Sequence, residues 1–280
     1  MRRRWGFLPS LINLVALVLV ATLLVFAQGQ GRGKGGGKPG GGGGGAWEEH
    51  FNAPLDKKKW VISSWFAPGY LPGQHQGYYE TENVSLQGGY LVMRLWQEPG
   101  EVDGNPDGVI SHGAHVTTKQ KYGYGTYEWH MRMSSTATSP TSAGEPVSGS
   151  VSAGFSYVNN SESEVDFEFG GHLPDTLYMV NWYNTDPATG PFDDHVTYTA
   201  LPLADISDAF HTYKFVWEPG RISFYVDDGL QAVHTEDVPS APAHFMINHW
   251  GTNNPYWGGP ATFGVDRYFY VDWVRFTPLP

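Results

Sequence analysis

The run Glu164-Val165-Asp166-Phe167-Glu168-Phe169 alternates acidic and apolar residues without a break. A period of two is the mark of a β-strand, which puts Glu164, Asp166 and Glu168 on one face and Val165, Phe167 and Phe169 on the other. The apolar face demands a core, so this strand belongs to a sheet packed on at least one side. The acidic face carries a cost, because like charges repel and carboxylates lose hydration. Acids are depleted in strands, and three in register are tolerated mostly where carboxylates do chemistry. A solvated acidic sheet edge is the plain alternative.

The rest of the chain repeats the strand pattern. Segments 90–96, 125–133, 151–158, 176–183, 212–218, 221–227, 245–249 and 268–276 are short and rich in aromatic and β-branched residues. Gly, Pro, Asn and Asp separate them. Glu218-Pro219-Gly220 and Asp227-Asp228-Gly229 flank one segment and predict a hairpin series. Many short strands with turn signals predict an all-β sandwich or jelly roll.

The N-terminus is different. Arg2, Arg3 and Arg4 precede an apolar run over 11–26, and Val25-Phe26-Ala27 offers small residues for cleavage after Ala27. Residues 1–27 therefore read as a signal peptide, with an uncleaved N-terminal anchor as the alternative. Residues 28–45, dominated by glycine, read as a flexible linker. That leaves 46–280 as one folded domain, secreted, extracellular or periplasmic, with no stable membrane association once the signal is removed. The chain has no cysteine, so packing, and a metal ion if one is bound, must hold the domain. The first 45 residues hold six basic and no acidic side chains, so a net charge of −11 becomes −17 for the remainder. Such a surface excludes a nucleic-acid partner.

The spacing of the acids suits glycoside chemistry. Glu164 and Glu168 are about 13 Å apart at Cα, at a rise of ~3.3 Å per residue. A retaining glycosidase wants its two carboxyl groups about 5–5.5 Å apart, a gap two inward-leaning glutamates can close. One must be ionised to attack and the other protonated to donate. Asp166 between them raises the donor's pKa by like-charge repulsion.

With these residues in view, the chain resembles glycoside hydrolase family 16. Glu164-Val165-Asp166-Phe167-Glu168 matches the family's E-x-D-x-E motif. It lacks the extra residue seen in most laminarinases and agarases, and so is similar to the lichenase and xyloglucan-transglycosylase branch. Tyr122-Gly123-Tyr124-Gly125-Thr126-Tyr127-Glu128, the run from Phe210 through Trp217-Glu218-Pro219-Gly220 to Asp227, and Tyr270-Val271-Asp272-Trp273-Val274-Arg275 resemble lichenase segments in order and spacing.

The resemblance implies a β-jelly roll of two antiparallel sheets with a concave substrate cleft. It implies Glu164 as nucleophile, Asp166 as helper acid and Glu168 as acid/base, with no cofactor for catalysis. Asn181 and Tyr183 match substrate-contact positions, as do Asn248 and Trp250, whereas Trp182, opposite in face to Asn181, is expected in the sandwich core. Trp65, Phe66 and Tyr70 are candidates for walling one end of the cleft. Glu162 stands where lichenases carry a tryptophan, beside the acids, and is expected to touch substrate. His115 and Thr117 replace a Glu-x-Arg pair. The backbone oxygens of His50 and Gly89 and the side chain of Asp272 match a structural Ca²⁺ site. The implied activity is endo-hydrolysis of β-1,3-1,4-glucan or a related β-glucan by a monomeric retaining enzyme, EC 3.2.1.-. A transglycosylase on the same scaffold and a non-catalytic glycan-binding module are the alternatives.

Overall fold

The structure, a computed structural model, describes residues 45–67, 75–101, 107–185 and 195–280. The expected signal segment, the glycine linker and Tyr70 lie outside them. No helix among the described residues is long and apolar enough to cross a membrane.

Two antiparallel sheets pack face to face. The front sheet runs β2 (Trp60–Ile62), β7 (Val109–Tyr122), β16 (Ala243–Gly251), β9 (Ser150–Val158), β10 (Ser163–Gly170), β11 (Thr176–Trp182) and β12 (Val196–Pro202). The back sheet runs β5 (Val84–Gln87), β6 (Tyr90–Pro99), β17 (Arg267–Pro278), β8 (Gly125–Ser135), β13 (His211–Glu218), β14 (Arg221–Val226) and β15 (Gly229–His234). β1 (Trp47–Glu49) adds to β17, and the end of β6 pairs with the start of β7, joining the sheets. β3 (Trp65–Phe66) pairs with β4 (Gln76–Tyr79), which lies parallel to β7. This is the expected jelly-roll sandwich.

Alternation explains which face goes where. In β13, His211, Tyr213, Phe215 and Trp217 are buried while Thr212, Lys214, Val216 and Glu218 are less so, as for a strand with one solvated face. β9 departs from this, since every one of its residues is buried. The outer face of the front sheet is therefore a recessed, lined surface. The β14–β15 hairpin turns through Asp227 and Asp228, both at positive φ (49° and 63°), as a two-residue turn of this hand requires. Asp227 also ties the hairpin down, accepting from Thr212 N–H at 2.8 Å and bonding His211 Nδ1 at 2.7 Å.

The core between the sheets is aromatic. The Trp129 ring lies 4.4 Å from Phe245 and 5.5 Å from Phe215, and Phe167 meets Phe224 edge-on at 5.5 Å. Each such ring, fully buried, contributes about 1.5–3 kcal/mol. Gly154 faces this cluster from β9, opposite Phe167. A Cβ there would sit 2.9 Å from both the Trp129 ring and Met131 Cε, so the tryptophan needs a glycine beneath it.

Candidate active site

β10 divides as its alternation dictates. Val165, Phe167 and Phe169 are fully buried in the core, and Phe167 packs on Trp129, Tyr213 and Phe224. Glu164, Asp166 and Glu168 therefore line the opposite, cleft face. Pairing to β9 and β11 is continuous along the strand, with no register shift, so the motif is unbulged. Directly opposite the three acids stand Tyr157, Phe155 and Ala153 on β9, and Trp182, Val180 and Tyr178 on β11. These apolar neighbours take the carboxyl groups out of water, leaving Glu164 9% and Asp166 2% exposed.

Burial sets the electrostatics. It is the largest cause for Glu164, whose pKa rises from 4.5 to about 8; a hydrogen bond from Ser161 opposes the rise and the charge of Glu168 adds to it. Burial likewise raises Glu168 to about 8. Asp166 is pushed well above its ordinary value by burial, then by Glu164 and Glu168, and neither of its oxygens has a hydrogen-bond partner among the described residues. Three carboxyl groups this close and this dry cannot all ionise. Burial and mutual repulsion hold protons on these groups, so that when one ionises its neighbours stay protonated, as a nucleophile beside a proton donor requires.

The β9–β10 turn supplies a residue that sequence reasoning missed. Ser161 Oγ, in a buried side chain, donates to Glu164 Oε2 at 2.5 Å. Asn-Asn-Ser reads only as a generic turn, and the signal for this contact is the serine three residues before the first acid. Glu162, expected on the acidic face, belongs instead to this turn. It precedes β10, its N–H donates to Asn159 O at 3.0 Å, and its carboxylate accepts from Asn159 Nδ2 at 2.8 Å. The strand begins one residue later, so the alternation does not extend to Glu162.

Other expected positions divide. Asn248 and Trp250 lie on the cleft face, opposite Ala153 and Val151 of β9. Asn248 Nδ2 donates to Tyr79 Oη at 3.3 Å, and Trp250 packs with Val151, Tyr178, Val180, Trp182 and Trp257. His115 pairs with Asn248 and Thr117 with Met246, so both share that face; the buried His115 stacks on Tyr79 at 5.0 Å and its pKa falls to about 3 through burial. His249 points the other way, bonding Ser134 Oγ and Met93 O. Trp65 is 44% exposed and pairs with Tyr79, putting it at the cleft edge, whereas Phe66 pairs with Tyr78 on the other face.

The expectations for Asn181 and Trp182 are reversed. Trp182 stands opposite Glu164 and is a cleft residue, whereas Asn181 stands opposite the core residue Val165. Asn181 is fully buried and structural: its Nδ2 donates to the Glu236 and Asp237 carbonyls at 3.1 and 2.8 Å, and its Oδ1 bonds His234 Nδ1 at 2.6 Å. Tyr183, one residue past the strand, turns its ring edge-on to His195, 6.3 Å away. The register carries neither Asn181 nor Tyr183 to the carboxylates.

On the back sheet, His50, Gly89 and Asp272 converge along one stretch of β17. Glu49 pairs with Val274, and Leu91, just past the β5–β6 turn, pairs with Val271. A Cβ on Gly89 would lie 2.8 Å from Asn52 Oδ1, so a further oxygen faces this spot. Asp272 Oδ2 bonds His130 Nδ1 at 2.9 Å, leaving its other oxygen. No group of three or more His, Cys, Asp or Glu among the described residues could hold a metal ion, so a cation here would rely on carbonyl and amide oxygens, the donors Ca²⁺ accepts.

Comparison with known proteins agrees with this geometry. The family model described as "Glycosyl hydrolases family 16" matches residues 73–275. A beta-glucanase of Bacillus amyloliquefaciens is 33% identical over 162 residues, covering 56% of this chain and 60% of that protein. A beta-glucanase of Paenibacillus polymyxa is 34% identical over 161 residues, with the same two shares. The matches thus span about 60% of the length of these curated relatives. Among solved structures, a prokaryotic beta-1,3-1,4-glucanase (lichenase) derived from a mouse hindgut metagenome superposes with a TM-score of 0.67 at 22% identity, covering 84% of this chain and all of that one, a likeness of fold.

Proposed function

This chain belongs to glycosyl hydrolase family 16, and from that premise we propose that it is an endo-acting β-glucan hydrolase working with retention of configuration. The observation that carries the reading is the unbroken strand β10, which presents three carboxyl groups on the cleft face, Glu164 and Asp166 buried and Glu168 half-buried, between two strands that face them with aromatic residues. A glycan-binding module gains nothing from crowding three acids on one strand face out of water, an arrangement that is unfavourable for folding.

In the proposed reaction Glu164, ionised and hydrogen-bonded by Ser161, attacks the anomeric carbon. Glu168, protonated because burial raises its pKa to about 8, gives its proton to the departing sugar oxygen. Asp166, held neutral, can donate to a flanking carboxylate and release that bond as charge moves. Glu168, now ionised, takes a proton from water, whose oxygen displaces Glu164 and leaves a β-configured product. Trp182, Trp250 and Tyr178 pack together as a buried apolar floor beside the acids, while Trp65, exposed at the cleft edge, can meet a sugar face and Asn248 turns an amide to the cleft side. The similarity to beta-glucanases supports β-1,3-1,4-glucan or a related β-glucan as substrate. We also propose a structural Ca²⁺ held by the His50 and Gly89 carbonyls and Asp272, and export directed by the basic and apolar N-terminal segment.

The test is release of reducing ends from barley mixed-linkage glucan, lichenan and laminarin by the wild type and by Glu164→Ala. Hydrolysis of at least one polymer is expected, with Glu164→Ala folded but inactive. Undiminished hydrolysis by Glu164→Ala would reject the assignment.

A further inference from the structure

Asn159, Asn160 and Ser161 all adopt positive φ, at 43°, 49° and 60°. Asparagine tolerates the left-handed region, but Ser161 there costs about 1 kcal/mol or more, and such strain persists where the surroundings over-determine it. Here Asn184 does so from the end of β11: its side chain donates to Asn160 O at 2.8 Å and its own N–H to Ser161 O at 2.8 Å. Tyr157, from β9, stands directly opposite Glu164. The hydroxyl that this turn delivers is 2.5 Å from Glu164 Oε2 and buried.

We propose that Ser161 is a positioning residue, whose hydroxyl orients the Glu164 carboxylate and keeps the site's negative charge on Glu164 rather than on Asp166 or Glu168. The inference deepens the reading above, in which Glu164 is the nucleophile. The titratable groups facing Glu164 do not supply the same bias. Asp166 and Glu168 on its own strand repel charge. Tyr157 on β9 is kept neutral by burial, which pushes its phenol pKa up, and His244, paired with Tyr157 on β16, bonds the Thr118 carbonyl and is driven toward neutrality by burial. From β11 comes Trp182, which is uncharged. Glu162 is occupied by Asn159.

The discriminating variant is Ser161→Gly, because glycine adopts a φ near 60° without strain and removes only the hydroxymethyl group. Ser161→Ala serves as a second variant with the same chemistry. The ¹³C resonances of the glutamate side-chain carboxyl carbons would be titrated, with Glu164 identified by its loss in Glu164→Gln. A charged-group hydrogen bond of this kind corresponds to about one pH unit or more. The Glu164 midpoint is expected to rise by that much in both variants, and the acid limb of kcat/KM to rise with it, while folding is retained. An unchanged midpoint in either folded variant overturns the proposal. A wild-type chain inactive on every β-glucan would instead reject the functional reading, and the titration would still decide whether Ser161 controls Glu164.

Discussion

At the residue scale, the site is governed by three acids on one strand face whose pKa values desolvation raises. Glu168 must stay protonated to donate, so kcat/KM on a β-glucan should fall as pH rises through about 8; on the acid side it should fall as Glu164 takes up a proton, at a pH above the ordinary glutamate value because burial raises it. The same groups shape stability. Glu164 and Glu168 ionise near 4.5 in the unfolded chain but near 8 in the folded one. Their contribution to folding is therefore fully present below about pH 4 and is lost as pH rises through about 8. Asp166→Asn removes one ionisable member. It should raise the melting temperature at pH 8 by a few degrees, about 1 kcal/mol or more, with little change at pH 4, while activity drops. Calorimetry at the two pH values checks the sign.

Asn181 and Trp182 make opposite predictions. Asn181→Ala should cost about 1–3 kcal/mol, because it strands His234 and two carbonyls, with KM unaltered. Trp182→Ala should raise KM for the polymer, and because the ring is buried in its cluster it should also cost about 3–5 kcal/mol of stability. The residue-level chemistry of β10 was legible, because alternation alone separates Glu164, Asp166 and Glu168 from the core. The facing of Asn181 was not. It depends on how many residues the β10–β11 connection uses before pairing resumes, and a slip of one exchanges the two faces.

At the scale of elements, strand periodicity identified β6, β8, β9, β11, β13, β14, β16 and β17, because each pairs an aromatic or β-branched face with a turn signal. The turn before β10 was opaque. Asn159-Asn160 is compatible with a left-handed turn, but nothing announces that Ser161 continues it, a conformation held by Asn184 just past β11. Glu162 was misplaced for the same reason, since a strand's first residue is set by the turn. β9 carries its own test. Gly154→Ala puts a methyl against the Trp129 ring and should destabilise the fold by about 1–3 kcal/mol, read as a lower denaturation midpoint in urea.

At the scale of the molecule, the sandwich lets one strand serve two purposes. The core face of β10 anchors it against the back sheet through Phe167, and that rigidity fixes the carboxyl groups on the other face. The proposed Ca²⁺ would tie β1 and the β5–β6 turn to β17, far from the acids, so its removal by EDTA should lower the melting temperature and leave the pH profile unchanged. The central claim is that Glu164 forms a covalent glycosyl intermediate that water resolves. The most direct measurement is early-time ¹H NMR of the reducing end released from a defined β-glucan oligosaccharide, before mutarotation. The account expects the β-anomer first; first appearance of the α-anomer would contradict it.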